Sequence, residues 1–191
     1  MKNKKYIIGL FLLLAIVQIF VPLKMIFEHE NILAKGIIMK FKTQPIDPAD
    51  PFRGKYVQLN FAAETIYIKK NAGFSAGETI FAIFENDSQG FGKIVSISKN
   101  EPSAKLIYTQ VKIKYFANNE KEFILEFPFQ RFYMNENKAQ LAEDIYRESN
   151  QNIKNTSCAV VAIKNGKTSI KDVLIDGISL QKIVENNAKK K

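Results

Sequence analysis

Cysteine occurs once in this chain, at Cys158, and tryptophan not at all. A lone cysteine excludes an intrachain disulfide and a thiolate zinc site. Its position also excludes an acylated cysteine of the lipoprotein type near the N-terminus. Beside the apolar run AVVAI it reads as a buried packing residue. Histidine also occurs once, as His29 between Glu28 and Glu30. Ser-His-Asp and Cys-His catalysis and histidine-ligated metal sites need an imidazole inside a pocket. His29 lies instead at the end of a long apolar segment, and it reads as an interfacial residue without chemistry. A glycine-rich phosphate loop and the glycine-flanked serine of a nucleophile elbow are missing too. No catalytic residue, metal or cofactor is expected from this inventory.

Lysine and arginine number 28 against 19 acidic residues, for a net charge of +9. Such a balance raises nucleic acid as a partner. The lysines, however, are spread along the chain, clustering only at Lys2, Lys4, Lys5 and at Lys189 to Lys191, and arginine is scarce. The charge reads as solvated strand faces with a weak attraction to anionic lipid headgroups, and nucleic acid is not expected.

The longest uncharged run is Tyr6 to Leu23. As a helix it covers about 27 Å, and about 33 Å if it continues through a snorkelling Lys24 to Phe27. A cleaved signal peptide would show a shorter apolar core and small residues at its cleavage site. Here the segment closes with the bulky IVQIFVPLKMIF, so residues 6–27 read as an uncleaved signal-anchor. Basic residues 1–5 place the N-terminus in the cytoplasm by the positive-inside rule. The rest is then outside, on the outer face of a bacterial cytoplasmic membrane. Gln18 is a polar residue within the span, able to bond a partner helix.

Residues 28–36 read as a juxtamembrane helix that Gly36 can end, and residues 37–180 as one β-rich domain. Ile37, Met39 and Phe41 alternate with Lys40 and Lys42, a half-buried strand. Val57, Leu59 and Phe61 alternate with Gln58 and Asn60. Further strands are expected at Thr79–Glu85, Gly92–Lys99, Ile107–Tyr115, with Val111, Ile113 and Tyr115 on one face, and Glu122–Phe127, stopped by Pro128. Asn137 can cap one helix, with Gln140 in capping-box spacing and an apolar stripe of Leu141, Ala142, Ile145 and Tyr146. It is expected to end near Ser149. A last hairpin turns at Asn165-Gly166. Residues 181–191 are expected to be a frayed basic tail. The sum is a mainly β, antiparallel barrel or sandwich of seven or eight strands with one short helix behind a transmembrane helix.

The stretch PIDPADPFRGKYVQLNF, Pro45 to Phe61, packs the strongest local signals together. Pro45, Pro48 and Pro51 forbid a hydrogen-bonded ladder, and Asp47 and Asp50 precede prolines and suit Asx turns. Calcium binding by these aspartates would want denser oxygen ligands. Arg53 can fork onto Asp47 or Asp50 and lock the arm, or serve as a ligand-binding cation. Asp47, Asp50, Arg53, Gly54, Tyr56 and Arg131 form the candidate structural or ligand cluster.

The octapeptide Gly54-Lys55-Tyr56-Val57-Gln58-Leu59-Asn60-Phe61 resembles the motif of the GDYXXLXY family of bacterial membrane-anchored proteins. Gly54, Tyr56 and Leu59 match; Lys55 stands where the family has Asp, and Phe61 where it has Tyr. The lead-in PIDPADPFRG, the aromatic RFYMNEN at Arg131–Asn137 and the hairpin NGKTSIKDVLIDG at Asn165–Gly177 are similar to the family's in the same order. The resemblance implies an N-terminal anchor and no established enzymatic activity. The anchor, the intact strand pattern and the missing catalytic constellation favour a non-enzymatic module that works with the bilayer and with an integral membrane or envelope partner. The alternative is an envelope hydrolase with a carboxylate or Ser-Lys centre near residues 45–56.

Overall fold

The computed structural model describes residues 2–44, 56–67, 73–118, 121–151 and 156–188. The N-terminal sequence forms one helix, α1 (Lys2–Lys35), which runs on through Pro22. Its Leu, Ile and Phe side chains between Tyr6 and Phe27 are exposed. It is long and apolar enough to cross a membrane, consistent with single-pass anchoring.

Gly36 ends α1 by close approach. Its N–H donates to the Ile32 carbonyl at 2.8 Å. A Cβ there would stand 2.5 Å from that oxygen and 3.1 Å from the Ala162 side chain. The chain therefore passes directly into β1 (Ile37–Gln44). The last turns of α1 also dock on the domain. Lys167 Nζ lies 2.7 Å from Glu28 Oε2, Lys164 Nζ donates to Asn31 Oδ1 at 3.0 Å, and Ser169 Oγ lies 2.7 Å from His29 Nε2. Ile32 is buried beneath these polar contacts.

The remaining strands are β2 (Tyr56–Gln58), β3 (Asn60–Phe61), β4 (Thr65–Tyr67), β5 (Thr79–Asn86), β6 (Gly92–Ser98), β7 (Tyr108–Ala117), β8 (Glu122–Glu126), β9 (Arg131–Tyr133), β10 (Ser157–Lys164), β11 (Lys167–Ile175) and β12 (Ile178–Ser179). They pair antiparallel in the orders β12-β11-β10-β1-β3 and β4-β8-β7-β5-β6, with β2-β9 as a separate ribbon. Bridges at Lys40–Phe91 and Thr109–Gly166 join the two large sheets into a nearly closed barrel. The fold is mainly β, as the alternation predicts. The strands exceed the expected number because several are only two or three residues long.

Aromatic residues fill the interior. Phe41 is fully buried and meets Phe84 and Phe129 at 5.2 Å between ring centroids. Phe61 and Phe127 complete the cluster, each within 6.1 Å of Phe41. The contacts of Phe41 with Phe61, Phe84 and Phe127 are edge-on, which suits the ring quadrupoles, and that with Phe129 is tilted. Gly92 makes room for the cluster, since a Cβ there would lie 2.7 Å from Phe41 Cε1. The predicted Asn165-Gly166 turn is present, with φ of 48° and 75°, the two positive values of a type I′ hairpin.

Four expectations are corrected. Tyr115 is exposed, not inward, because Lys114 is an extra residue between the pairs Ile113–Leu125 and Tyr115–Ile124; such a bulge shifts every later side chain to the opposite face. Ile37, at the start of its strand, is also exposed, although Met39 and Phe41 point inward. Helix α2 (Glu136–Gln151) begins before Asn137, and Asn135 caps it by accepting the Asn137 N–H at 3.1 Å. Of the predicted stripe, Ala142 and Tyr146 are buried and Leu141 and Ile145 partly so, and Ala139 joins them on the inner face. Finally, the tail from residue 181 forms part of a helix, α3 (Leu180–Ala188), with Leu180 and Val184 fully buried. That apolar i, i+4 pair anchors it, and Lys138 on α2 pairs with Glu185 at 3.0 Å.

Candidate functional site

Pro128 follows the end of β8, and Phe127 and Phe129 on either side of it enter the aromatic core. The next residues are thereby fixed from below. The Gln130 carbonyl accepts the Leu59 N–H at 2.8 Å. Arg131 begins β9, which pairs Tyr56 with Tyr133, Val57 with Phe132 and Gln58 with Arg131. Alternation sends Val57 and Phe132 inward and leaves Tyr56, Arg131 and Tyr133 on the outer face. There the Arg131 guanidinium lies over the Tyr56 ring, 5.1 Å from its centroid, and the Tyr56 and Tyr133 rings are 5.7 Å apart. The cation–π contact holds the guanidinium across the short ribbon.

Two of the predicted cluster residues, Tyr56 and Arg131, are therefore brought into contact although they lie far apart in sequence. Asp47, Asp50, Arg53 and Gly54, together with the expected Arg53 lock, lie outside the described residues.

Arg131 and Tyr133 border two hollows. The larger, of about 580 Å³, lies between the ribbon and β7–β8, and Gln58, Gln110, Lys112, Glu126 and Gln130 share its lining. The smaller, of about 270 Å³, is closed on one side by His29 of α1 and on another by Thr168, Ser169 and Ile170 of β11. Pro128, Arg131 and Tyr133 line both.

A buried carboxylate supports the floor. Glu64 sits in the short 3₁₀ turn Ala62–Glu64, is 7% exposed, and lies out of sight of solvent. Its Oε2 accepts the Phe61 N–H at 3.2 Å; its Oε1 accepts the Phe127 N–H at 3.4 Å and Gln130 Nε2 at 2.5 Å. Burial pushes its pKa above the ordinary 4.5, against the lowering effect of these hydrogen bonds. Glu64 thus ties β3 to the turn that presents Gln130 and Arg131. It was not among the sequence candidates. The one available signal was a lone carboxylate in the run NFAAETIY.

A family model described as GDYXXLXY protein matches residues 18–173. The chain belongs to the GDYXXLXY family. No curated protein and no solved structure matches it. Within the GDYXXLXY motif the described positions now have visible roles. Tyr56 is the ring beneath Arg131, Leu59 is fully buried, and Phe61, where the family has Tyr, packs 5.1 Å from Phe129 in the core. The described part of the motif thus supplies β2 and β3, whose inner residues build the core and whose tyrosine builds the outer wall.

Chemically, the larger hollow of this GDYXXLXY protein offers amide donors and acceptors, two cations and a carboxylate. Among the described residues, no serine, cysteine or histidine lines it. The set suits hydrogen bonding to an extended or anionic ligand. His29, expected to have no role beyond the membrane boundary, is instead hydrogen-bonded to Ser169 and borders the smaller hollow. Cys158 is buried on β10, and burial pushes its thiol pKa up.

Proposed function

We propose that this GDYXXLXY protein is a non-enzymatic, membrane-tethered accessory module. It holds its barrel on the outer face of a bacterial cytoplasmic membrane and binds a membrane or envelope partner through the hollow beside Arg131. The observation that carries this reading is the Tyr56–Arg131–Tyr133 wall, set rigidly on a packed core beside Gln58, Gln110 and Lys112. An arginine already positioned on an aromatic face loses little entropy when it takes a ligand. The outward orientation rests on Lys4 and Lys5 preceding the apolar run.

The anchor supports a partner within the membrane. Pro22 has no N–H to offer the Gln18 carbonyl, and the Gln18 side chain is itself an amide. One polar spot therefore interrupts an apolar helix, and a neighbouring helix can satisfy it. The alternative of a hydrolase has no described group in its favour; Glu64, the carboxylate following the motif, is occupied by three donors.

Photo-crosslinkers placed at Gln18 and Gln110 in cells test the reading, with a C-terminal reporter fused to the full chain. The expected result is one envelope or membrane protein captured from both positions and a reporter active outside. Cytoplasmic reporter activity, or no capture from either position, would overturn it.

A further inference from the structure

We infer that the smaller hollow, between α1 and the β9–β11 surface, is a site for the phosphate of an anionic membrane lipid. The inference deepens the accessory-module reading, and rests on its claim that the Arg131 wall is a binding surface.

Height above the bilayer carries the argument. The unbroken apolar run of α1 ends at Leu23, or at Phe27 if Lys24 snorkels. At ~1.5 Å per residue, His29 lies about 9 Å beyond the first limit and about 3 Å beyond the second. The headgroup layer on one side of a bilayer is roughly 5–8 Å deep. His29 therefore stands within that layer under the second limit and at its outer edge under the first, and the hollow it borders stands at the same height. The height is fixed, because Glu28 is bonded to Lys167 and His29 to Ser169, which hold β11 against the helix. Helix tilt lowers the hollow further towards the lipid.

Chemistry agrees with position. Among the described residues, the lining of the hollow has Arg131 as its cation, with hydroxyls from Tyr133, Thr168 and Ser169, and no carboxylate. Glu28 and Glu30 flank His29 on α1 without lining the hollow, and Glu28 is already paired with Lys167 at 2.7 Å. Guanidinium and hydroxyl donors suit a phosphodiester. Beneath the polar rim lie the rings of Phe129 and Phe132, which suit the carbon backbone of an amphiphile better than they suit a free ion. Tyr133 is 65% exposed at this height, where amphipathic rings are favoured. The volume of about 270 Å³ leaves room for a phosphodiester headgroup. The negative surface potential of anionic lipids then adds to the attraction.

The test uses the full chain in nanodiscs of phosphatidylcholine, with and without phosphatidylglycerol. A photo-reactive phenylalanine analogue replaces Tyr133, and in a control it replaces Ile178 of β12, which pairs with the far end of β11. Lipid adducts are read by mass spectrometry. Adducts at position 133 should favour phosphatidylglycerol, fall about tenfold on Arg131→Gln and survive in part in Arg131→Lys. Position 178 should give none. Circular dichroism verifies that each variant folds.

Equal adducts at both positions, or a preference untouched by Arg131→Gln, would overturn the inference. Loss of the adduct on adding inorganic phosphate would assign the site to a soluble anion instead, which also overturns it. Protein capture at Gln110 with no lipid adduct at 133 would remove the lipid site and leave the accessory-module reading standing.

Discussion

Replacing Glu64 by alanine removes the acceptor for three donors at once. Two of these are main-chain N–H groups, of Phe61 and Phe127, whose residues are 1% and 2% exposed. A buried donor left without a partner costs about 1–3 kcal/mol. Gln130 lines the open hollow, so its amide can turn to water and contributes least. Removing a desolvated carboxylate returns part of the loss. The expected net destabilisation is about 2–4 kcal/mol, a large fraction of the 5–15 kcal/mol typical of a domain.

Urea unfolding of the full chain in detergent measures it. Near-ultraviolet circular dichroism of the tyrosines supplies the signal, because the chain has no tryptophan. With a slope of about 1–3 kcal/mol per molar urea, the midpoint should fall by roughly 1–2 M. Glu64→Gln keeps an oxygen for Phe127 and Gln130 but turns an NH₂ towards the Phe61 N–H, so it should lose less. The pH dependence has a definite sign. The folded pKa of Glu64 stands above 4.5, so the native state binds this proton more tightly than the unfolded chain. Its contribution is most favourable below pH 4.5 and declines as pH rises through the raised value. Glu64→Gln should remove that decline. Stability of Glu64→Ala within about 1 kcal/mol of the parent, or an unchanged pH slope in Glu64→Gln, would refute the reasoning.

Gly92→Ala should cost about 1–3 kcal/mol by forcing a methyl group into the Phe41 ring, 2.7 Å away; thermal unfolding measures it. Gly166→Ala should cost at least about 1 kcal/mol, since the residue needs φ of 75° and its Cβ would stand 2.9 Å from Tyr108. A normal melting temperature would contradict the turn geometry. Gly36→Ala should loosen the junction of α1 with the barrel, because its Cβ would meet the Ile32 oxygen at 2.5 Å. Faster hydrogen exchange in residues 28–40, with the core unaffected, is the expected result.

The sequence made the barrel legible where one rule governed a segment. Met39 and Phe41, Val57 and Leu59, and Ala142 and Tyr146 are buried as their spacing predicts, because periodicity reports which face meets a core. Tyr115 escaped that rule through a bulge at Lys114, and a bulge has no mark in the local pattern. The final helix escaped because Leu180 and Val184 stand among polar residues and are held by contacts with distant strands. The site was half legible. Tyr56 and Arg131 stood out as an aromatic motif position and a scarce arginine. Their contact depends on the pairing of β2 with β9, a long-range register that neither segment specifies alone. Glu64 and His29 owe their tertiary roles to distant partners, Phe127 and Gln130 for the one and Ser169 for the other.

The passage from α1 into β1 through a single glycine has a mechanical consequence. Seated in a bilayer, the barrel rides on a stiff mast with no slack in its mounting. It cannot reach outward for a distant target, and whatever it engages must come to a narrow plane just above the lipid. The same stiffness works in reverse. A twist or tilt imposed on the mast by a neighbouring helix would be delivered undamped to the wall that carries Arg131.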